Sequence, residues 1–139
     1  MANFPRTPQH QPSEQKSPHQ SYLEQHIPDI LSFKETTNLK DLLTHLEGYV
    51  REKAGGVTTS QLRNIFSKIK PMKTAQQLQL ARPQLAYVAA RQQKKEARNV
   101  ISFIETIVKE VNDDKQVESF IKFFEAIVAY HKLYHGQKS

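Results

Sequence analysis

The sequence predicts an all-α protein, a compact helical bundle of about five to six helices with a disordered N-terminal tail. From residue 38 onward apolar residues recur at i, i+3, i+4 and i+7, the spacing of one helix face. No segment alternates apolar and polar residues over a strand length, and no hairpin signal such as Asn-Gly occurs. The four glycines and seven prolines mostly fall between the periodic runs, and neither residue occurs between Pro83 and Gly136.

Residues 1–20 hold Pro5, Pro8, Pro12 and Pro18 among Gln, Ser and His, with too little apolar area to offset the entropy of ordering. They are expected to form the tail, with residues 21–139 as a single helical-bundle domain. Tyr22, Leu23, Ile27, Ile30, Leu31 and Phe33 follow, interrupted by Pro28, and predict a turn or two of helix docked on the main body. Asn38 is an N-cap type of residue, and Leu39, Leu42, Leu43, Leu46, Tyr49 and Val50 then repeat at helical spacing until Gly55 and Gly56.

Thr58, Thr59 and Ser60 mark the next start, Leu62, Ile65, Phe66 and Ile69 form its face, and Pro71 ends it. Residues 74–81 read as a short helix or ordered loop. Pro83 suits the first turn of a helix, where its missing N–H has no intrahelical partner to lose. With no breaker after it, residues 83–111 read as one long helix or two nearly collinear ones, up to about 43 Å at 1.5 Å per residue. Asn112, Asp113 and Asp114 form the break before the most apolar helix, 115–135.

Charge narrows the function. The chain of 139 residues carries a net +6, yet residues 51–98 alone hold eleven Lys and Arg against two Glu. A helical segment with that balance has the electrostatic footprint of a nucleic-acid binder. On a helical wheel of about 100° per residue, Tyr87, Arg91, Lys94 and Arg98 share a stripe about 60° wide opposite the buried face. Arg63 and Lys70 flank the apolar face of the preceding helix on one side, whereas Lys68 points elsewhere. Lys70, Lys73 and Arg82 surround the short segment between them. Phe123, Ile127, Tyr130 and Tyr134 form a second apolar stripe beside Val117, Phe120, Ile121, Phe124 and Val128, which assigns them either to a partner interface or to a central buried helix.

Catalytic and metal motifs are missing. The chain has no cysteine, so disulfides and thiolate sites are excluded. His131 and His135 are spaced i, i+4, but Lys132 stands where a zinc protease has glutamate, and no third ligand is evident. Acid capping of a helix break accounts for Glu110, Asp113 and Asp114 without a cation. Neither a glycine-rich phosphate loop nor a nucleophile elbow occurs, so no cofactor, no metal and no enzymatic activity are expected. No apolar run is long enough for a membrane span, and the N-terminus lacks the apolar core of a secretory signal, so a cytoplasmic location is expected.

Three segments together resemble a known family: Thr59-Ser60-Gln61-Leu62-Arg63-Asn64-Ile65-Phe66, Arg82-Pro83-Gln84-Leu85-Ala86-Tyr87-Val88-Ala89-Ala90-Arg91, and Phe123-Phe124-Glu125-Ala126-Ile127-Val128-Ala129-Tyr130-His131-Lys132. In order and spacing they are similar to the small subunit of the type III-A CRISPR–Cas effector, the Csm complex. The likeness covers about residues 57–135, and Ala90 departs from it where glycine is common. The resemblance implies a non-catalytic helical subunit that stacks in several copies along a ribonucleoprotein filament, beside guide RNA and target RNA, a repeated backbone subunit and a large subunit. It makes Arg63, Arg82 and Arg91 the first candidates for RNA contact. The rival readings are a dimeric helical DNA-binding regulator, with Gln61 and Asn64 as base readers, and a helical adaptor whose basic segment serves solubility.

Overall fold

The computed structural model describes residues 17–136, and among these the chain is helical throughout with no strand. The helices are α1 (Pro18–Gln25), α2 (Ile27–Ile30), α3 (Leu39–Lys53), α4 (Thr59–Ile69), α5 (Ala75–Leu80), α6 (Arg82–Arg91), α7 (Lys95–Lys109) and α8 (Asp114–His135). The all-α expectation holds, with more segments than the five to six expected, because the first docked stretch divides into α1 and α2 and the helix expected over 83–111 divides into α6 and α7. Of the expected tail, residues 1–16 lie outside the described residues. Its last part is corrected: α1 begins at Pro18, which suits the first helical position, and the Ser17 hydroxyl accepts from the Gln20 N–H at 3.0 Å.

The starts of α4 and α5 are built alike. Thr58 and Gln61 form a reciprocal capping box, and so do Thr74 and Gln77. At α8, Asp113 caps through the Gln116 N–H, while Asp114 accepts from the Ala75 N–H at 2.8 Å and ties the start of α5 to the start of α8. Asn38 stands at the N-cap position of α3 but makes no cap with its side chain; its amide donates to the Tyr22 hydroxyl at 2.7 Å instead and anchors α1.

The helix expected over 83–111 is the main departure. It breaks at residues 92–94, where Gln92 and Lys94 take extended backbone angles, and α7 folds back along α6. The pair is antiparallel, since Arg82 at the start of α6 meets Glu105 near the end of α7. Size supplies the reason. A domain of about 120 residues is roughly 35 Å across, so a 43 Å rod would leave one end without a core. Folding back instead buries Val100, Ile101, Phe103, Ile104, Ile107 and Val108, each worth about 1.5–3 kcal/mol, against the loss of a few helical hydrogen bonds worth about 1 kcal/mol each.

Helix α8 lies at the centre and packs against α3, α4, α5 and α2. Phe120, Phe123 and Phe124 are fully buried on it, and Phe123 and Phe124 meet Phe33 and Phe66 edge-on at 5.8 and 5.3 Å. A buried histidine fastens its C-terminal half. His131 is 0 % exposed; its Nε2–H donates to the Ala54 and Val57 carbonyls at 2.9 and 2.8 Å, and the Thr59 hydroxyl donates to Nδ1 at 2.7 Å. One neutral imidazole thus holds the connection from α3 to α4. On the other side α1 docks on α3: His19 Nδ1 lies 3.0 Å from His45 Nδ1, and Tyr22 stacks between His26 and His45 at 3.9 Å on each side. Gly48 lets α1 approach this closely: a Cβ would fall 2.4 Å from the His19 ring, which would then have to move. Among the described residues no helix is long and apolar enough to cross a membrane.

Burial holds the pKa of His131 below the ordinary imidazole value, and burial with the neighbouring His19 does the same for His45. The unfolded chain therefore binds protons on these rings at a higher pH than the folded chain does. Stability is full above about pH 6.5 and falls as pH drops below it. Calorimetry is expected to give a lower melting temperature at pH 5.0 than at pH 7.5. His131→Phe, which strands two carbonyls and a hydroxyl, is expected to cost roughly 3 kcal/mol, or roughly 10 °C, and to lessen the acid sensitivity. A pH-independent melting temperature contradicts this assignment.

Candidate nucleic-acid interface

The sites expected from sequence separate into three groups. Arg63 and Lys70 are exposed on one flank of α4, where the Lys70 ammonium sits 6.0 Å from the centre of the Phe66 ring. Tyr87 and Arg91 lie one turn apart on the exposed side of α6 that looks toward α4. Tyr87 is 64 % exposed, and the Arg91 guanidinium stands 5.6 Å from its ring centre. Lys94 is exposed in the α6–α7 turn.

Arg82 and Arg98 are engaged within the bundle. The Arg82 Nε–H donates to Glu105 at 3.3 Å and its Nη1 to the Gln79 side chain at 3.2 Å. Arg98 Nη1 donates to the carbonyls of Gln92 and Gln93 at 2.8 and 3.3 Å, closing the end of α6. The single stripe of Tyr87, Arg91, Lys94 and Arg98 is therefore corrected. It presumed a helix that continues through residue 94, and the reversal there carries Arg98 onto α7.

What the fold does bring together is a groove between α4 and α6. Its floor is apolar, from Ile65, Ile69, Met72, Leu85 and Val88, and the open groove has a volume of about 390 Å³. Lys68 and Arg91 line it from opposite helices and also line its polar continuation, with Asn64 and Gln93. Tyr87 stands on its wall. No Asp or Glu lines either part, and neither Lys68 nor Arg91 is paired with a carboxylate among the described residues. Lys68 is the residue that sequence reasoning passed over. The wheel of α4 places Arg63 and Lys68 on opposite flanks, and which flank matters depends on where α6 lies.

The expected interface on α8 is corrected too. Phe123 is 0 % and Ile127 2 % exposed, so both belong to the core. A central helix with neighbours on several sides needs an apolar surface that wide. Tyr130 and Tyr134 are half-buried; the Tyr134 hydroxyl donates to Glu47 and Arg51 lies 5.7 Å from the Tyr134 ring, which joins α8 to α3. Gln61, a base reader in the regulator reading, is occupied by its capping box and by a 3.3 Å bond from its amide to Gln92. Both ring nitrogens of His131 are engaged, and His135 bonds the Val50 carbonyl at 3.0 Å. No group of three or more His, Asp or Glu among the described residues is placed to hold a metal ion.

Fold and surface define a class: a small all-α subunit with an acid-free, cation-lined groove on one side of a closed core. The family comparison agrees with the resemblance read from the sequence. A model of the Csm2 Type III-A family matches residues 36–137, and the chain belongs to that family, the small subunit of the type III-A CRISPR–Cas Csm complex. The match leaves out α1 and α2. No curated protein and no solved structure matches the chain.

Three substitutions test these placements. Arg98→Ala is expected to lower stability by about 1.5 kcal/mol by removing charge-assisted bonds at the turn, whereas Arg91→Ala changes it by less than about 0.5 kcal/mol. Phe123→Asp, burying an unpaired carboxylate, is expected to unfold the protein. Circular dichroism melts of the three variants check this; a stable Phe123→Asp would place that ring at a surface.

Proposed function

We propose that the protein is a non-catalytic subunit of the Csm ribonucleoprotein that holds guide RNA and target RNA by phosphate contacts, without reading sequence. The observation that carries this is the groove between α4 and α6, where, among the described residues, no carboxylate pairs with Lys68 or Arg91. Cations so placed attract phosphates and release condensed counterions, which gives affinity without base discrimination. Arg63, Lys70 and Lys94, exposed on neighbouring surfaces, extend the positive field. Arg82 and Arg98 serve RNA indirectly, by fixing where α6 sits. The absence of any acid–base pair or metal cluster in the groove favours a structural role over an enzymatic one.

In this reading several copies stack along the filament beside the backbone and large subunits, in the cytoplasm. Copy-to-copy contacts would use exposed helix faces, since Phe123 and Ile127 are enclosed. The regulator alternative has lost Gln61 to a helix cap and has no further observation in its favour.

Affinity purification of the tagged protein from its native cell is expected to recover short RNAs with a constant end and variable spacers, together with other effector subunits. Added salt is expected to weaken RNA binding by the purified protein steeply, and Lys68→Glu or Arg91→Glu to reduce it at least tenfold while the melting temperature holds. Recovery of the protein alone, or enrichment of particular duplex DNA sites, contradicts the proposal.

A further inference from the structure

We infer that the α4–α6 groove accepts an unpaired nucleotide, its base against the apolar floor and Tyr87 and its phosphate against Lys68 and Arg91. This rests on the RNA-binding reading above and adds which state of the strand the groove selects.

Phosphate binding alone does not explain the floor. A paired strand keeps its bases stacked inside the duplex and offers a protein phosphates and sugars. Ile65, Ile69 and Leu85 are already covered by the core, and such a ligand would use Lys68 and Arg91 at the rim and leave the partly exposed Met72 and Val88, with the mostly exposed Tyr87, facing water. An unstacked base has two apolar faces and a polar edge. It covers the floor, places its ring beside Tyr87, and meets the Asn64 amide where the groove turns polar. The groove volume of about 390 Å³ falls within the roughly 300–1,000 Å³ of small-ligand sites. Among the described residues Tyr87 is one of three large apolar or aromatic side chains that are mostly exposed, with Leu80 and Leu133, and it alone of these lines the groove. Arg91 over its ring adds a planar cation to the same wall, and aromatic and guanidinium planes are the surfaces on which single strands stack. Charge selects among occupants: two unpaired cations with no carboxylate fit an anionic, partly aromatic ligand better than a neutral apolar helix of a protein partner.

The test uses the two methionines of the chain, Met1 and Met72. Met72 lies on the groove floor, so its ¹³C-methyl resonance reports a base that enters. The full-length protein is titrated with a uniform single-stranded RNA and with a blunt RNA duplex of equal length, while anisotropy reads affinity. The single strand is expected to move the Met72 methyl signal saturably and the duplex to leave it in place. Tyr87→Ala is expected to weaken single-strand binding about tenfold, from the roughly 1–3 kcal/mol of one stacked base, with duplex binding unchanged. If both RNAs bind, Arg91→Glu weakens both and Met72 never shifts, the nucleotide pocket is overturned and the phosphate-binding reading stands. If neither RNA binds at low salt, both readings fail, and a Met72 shift on adding another effector subunit would assign the groove to a protein.

Discussion

The Arg98 guanidinium closes the carbonyls of Gln92 and Gln93, and the chain reversal it closes decides where the positive charge of the molecule comes to rest. A continuous helix would have set Tyr87, Arg91, Lys94 and Arg98 in one row along a rod. The reversal leaves Tyr87 and Arg91 on α6 facing α4, turns Arg98 into a cap and brings Glu105 to Arg82. Burial of the α7 face drives it: α7 packs along α6 and against α5, and Phe103 meets the Tyr49 ring of α3 at 4.8 Å. Groove, hairpin and core are thus three consequences of one demand: to cover the apolar faces of α7 and α8 within a small domain.

The core in turn has a polar fastening. His131 spans three partners on the connection from α3 to α4, so the position at which α4 begins is fixed by α8 and not by the Gly55–Gly56 turn alone. Thr59, which donates to that ring, sits beside the Thr58–Gln61 capping box. Helix α4 is therefore held by a buried hydrogen-bond network at its start and by Ile65 and Ile69 along its length. This anchoring sets Lys68 across the groove from Arg91.

Much of this was legible in the sequence where the signal is local. Thr58, Asp113 and Pro83 mark their helix starts as capping chemistry requires, and the charge excess of residues 51–98 points to the segment that builds the groove. The break at residues 92–94 was not legible, because it holds neither glycine nor proline and is driven by tertiary burial of the α7 face, with Arg98 closing it locally. Lys68 was passed over since a wheel gives the flank of a helix but not its neighbour. Phe123 and Ile127 read equally as interface or core until the number of helices around α8 is known. Ser17 and Pro18 form a proper helix start, yet the Gln- and Ser-rich composition around them hid it. The family resemblance located the basic elements, but it grouped the free Arg63 and Arg91 with Arg82, which Glu105 engages.

The central claim is that RNA lies along the α4–α6 groove and not along the outer flank of α4. Photocrosslinking from a benzophenone side chain placed at Tyr87 or, separately, at Arg63 in the assembled Csm complex tests it most directly. The account predicts RNA crosslinks from position 87 that exceed those from position 63. Strong crosslinks from position 63 with none from position 87 would contradict it and move the RNA to the opposite face of α4.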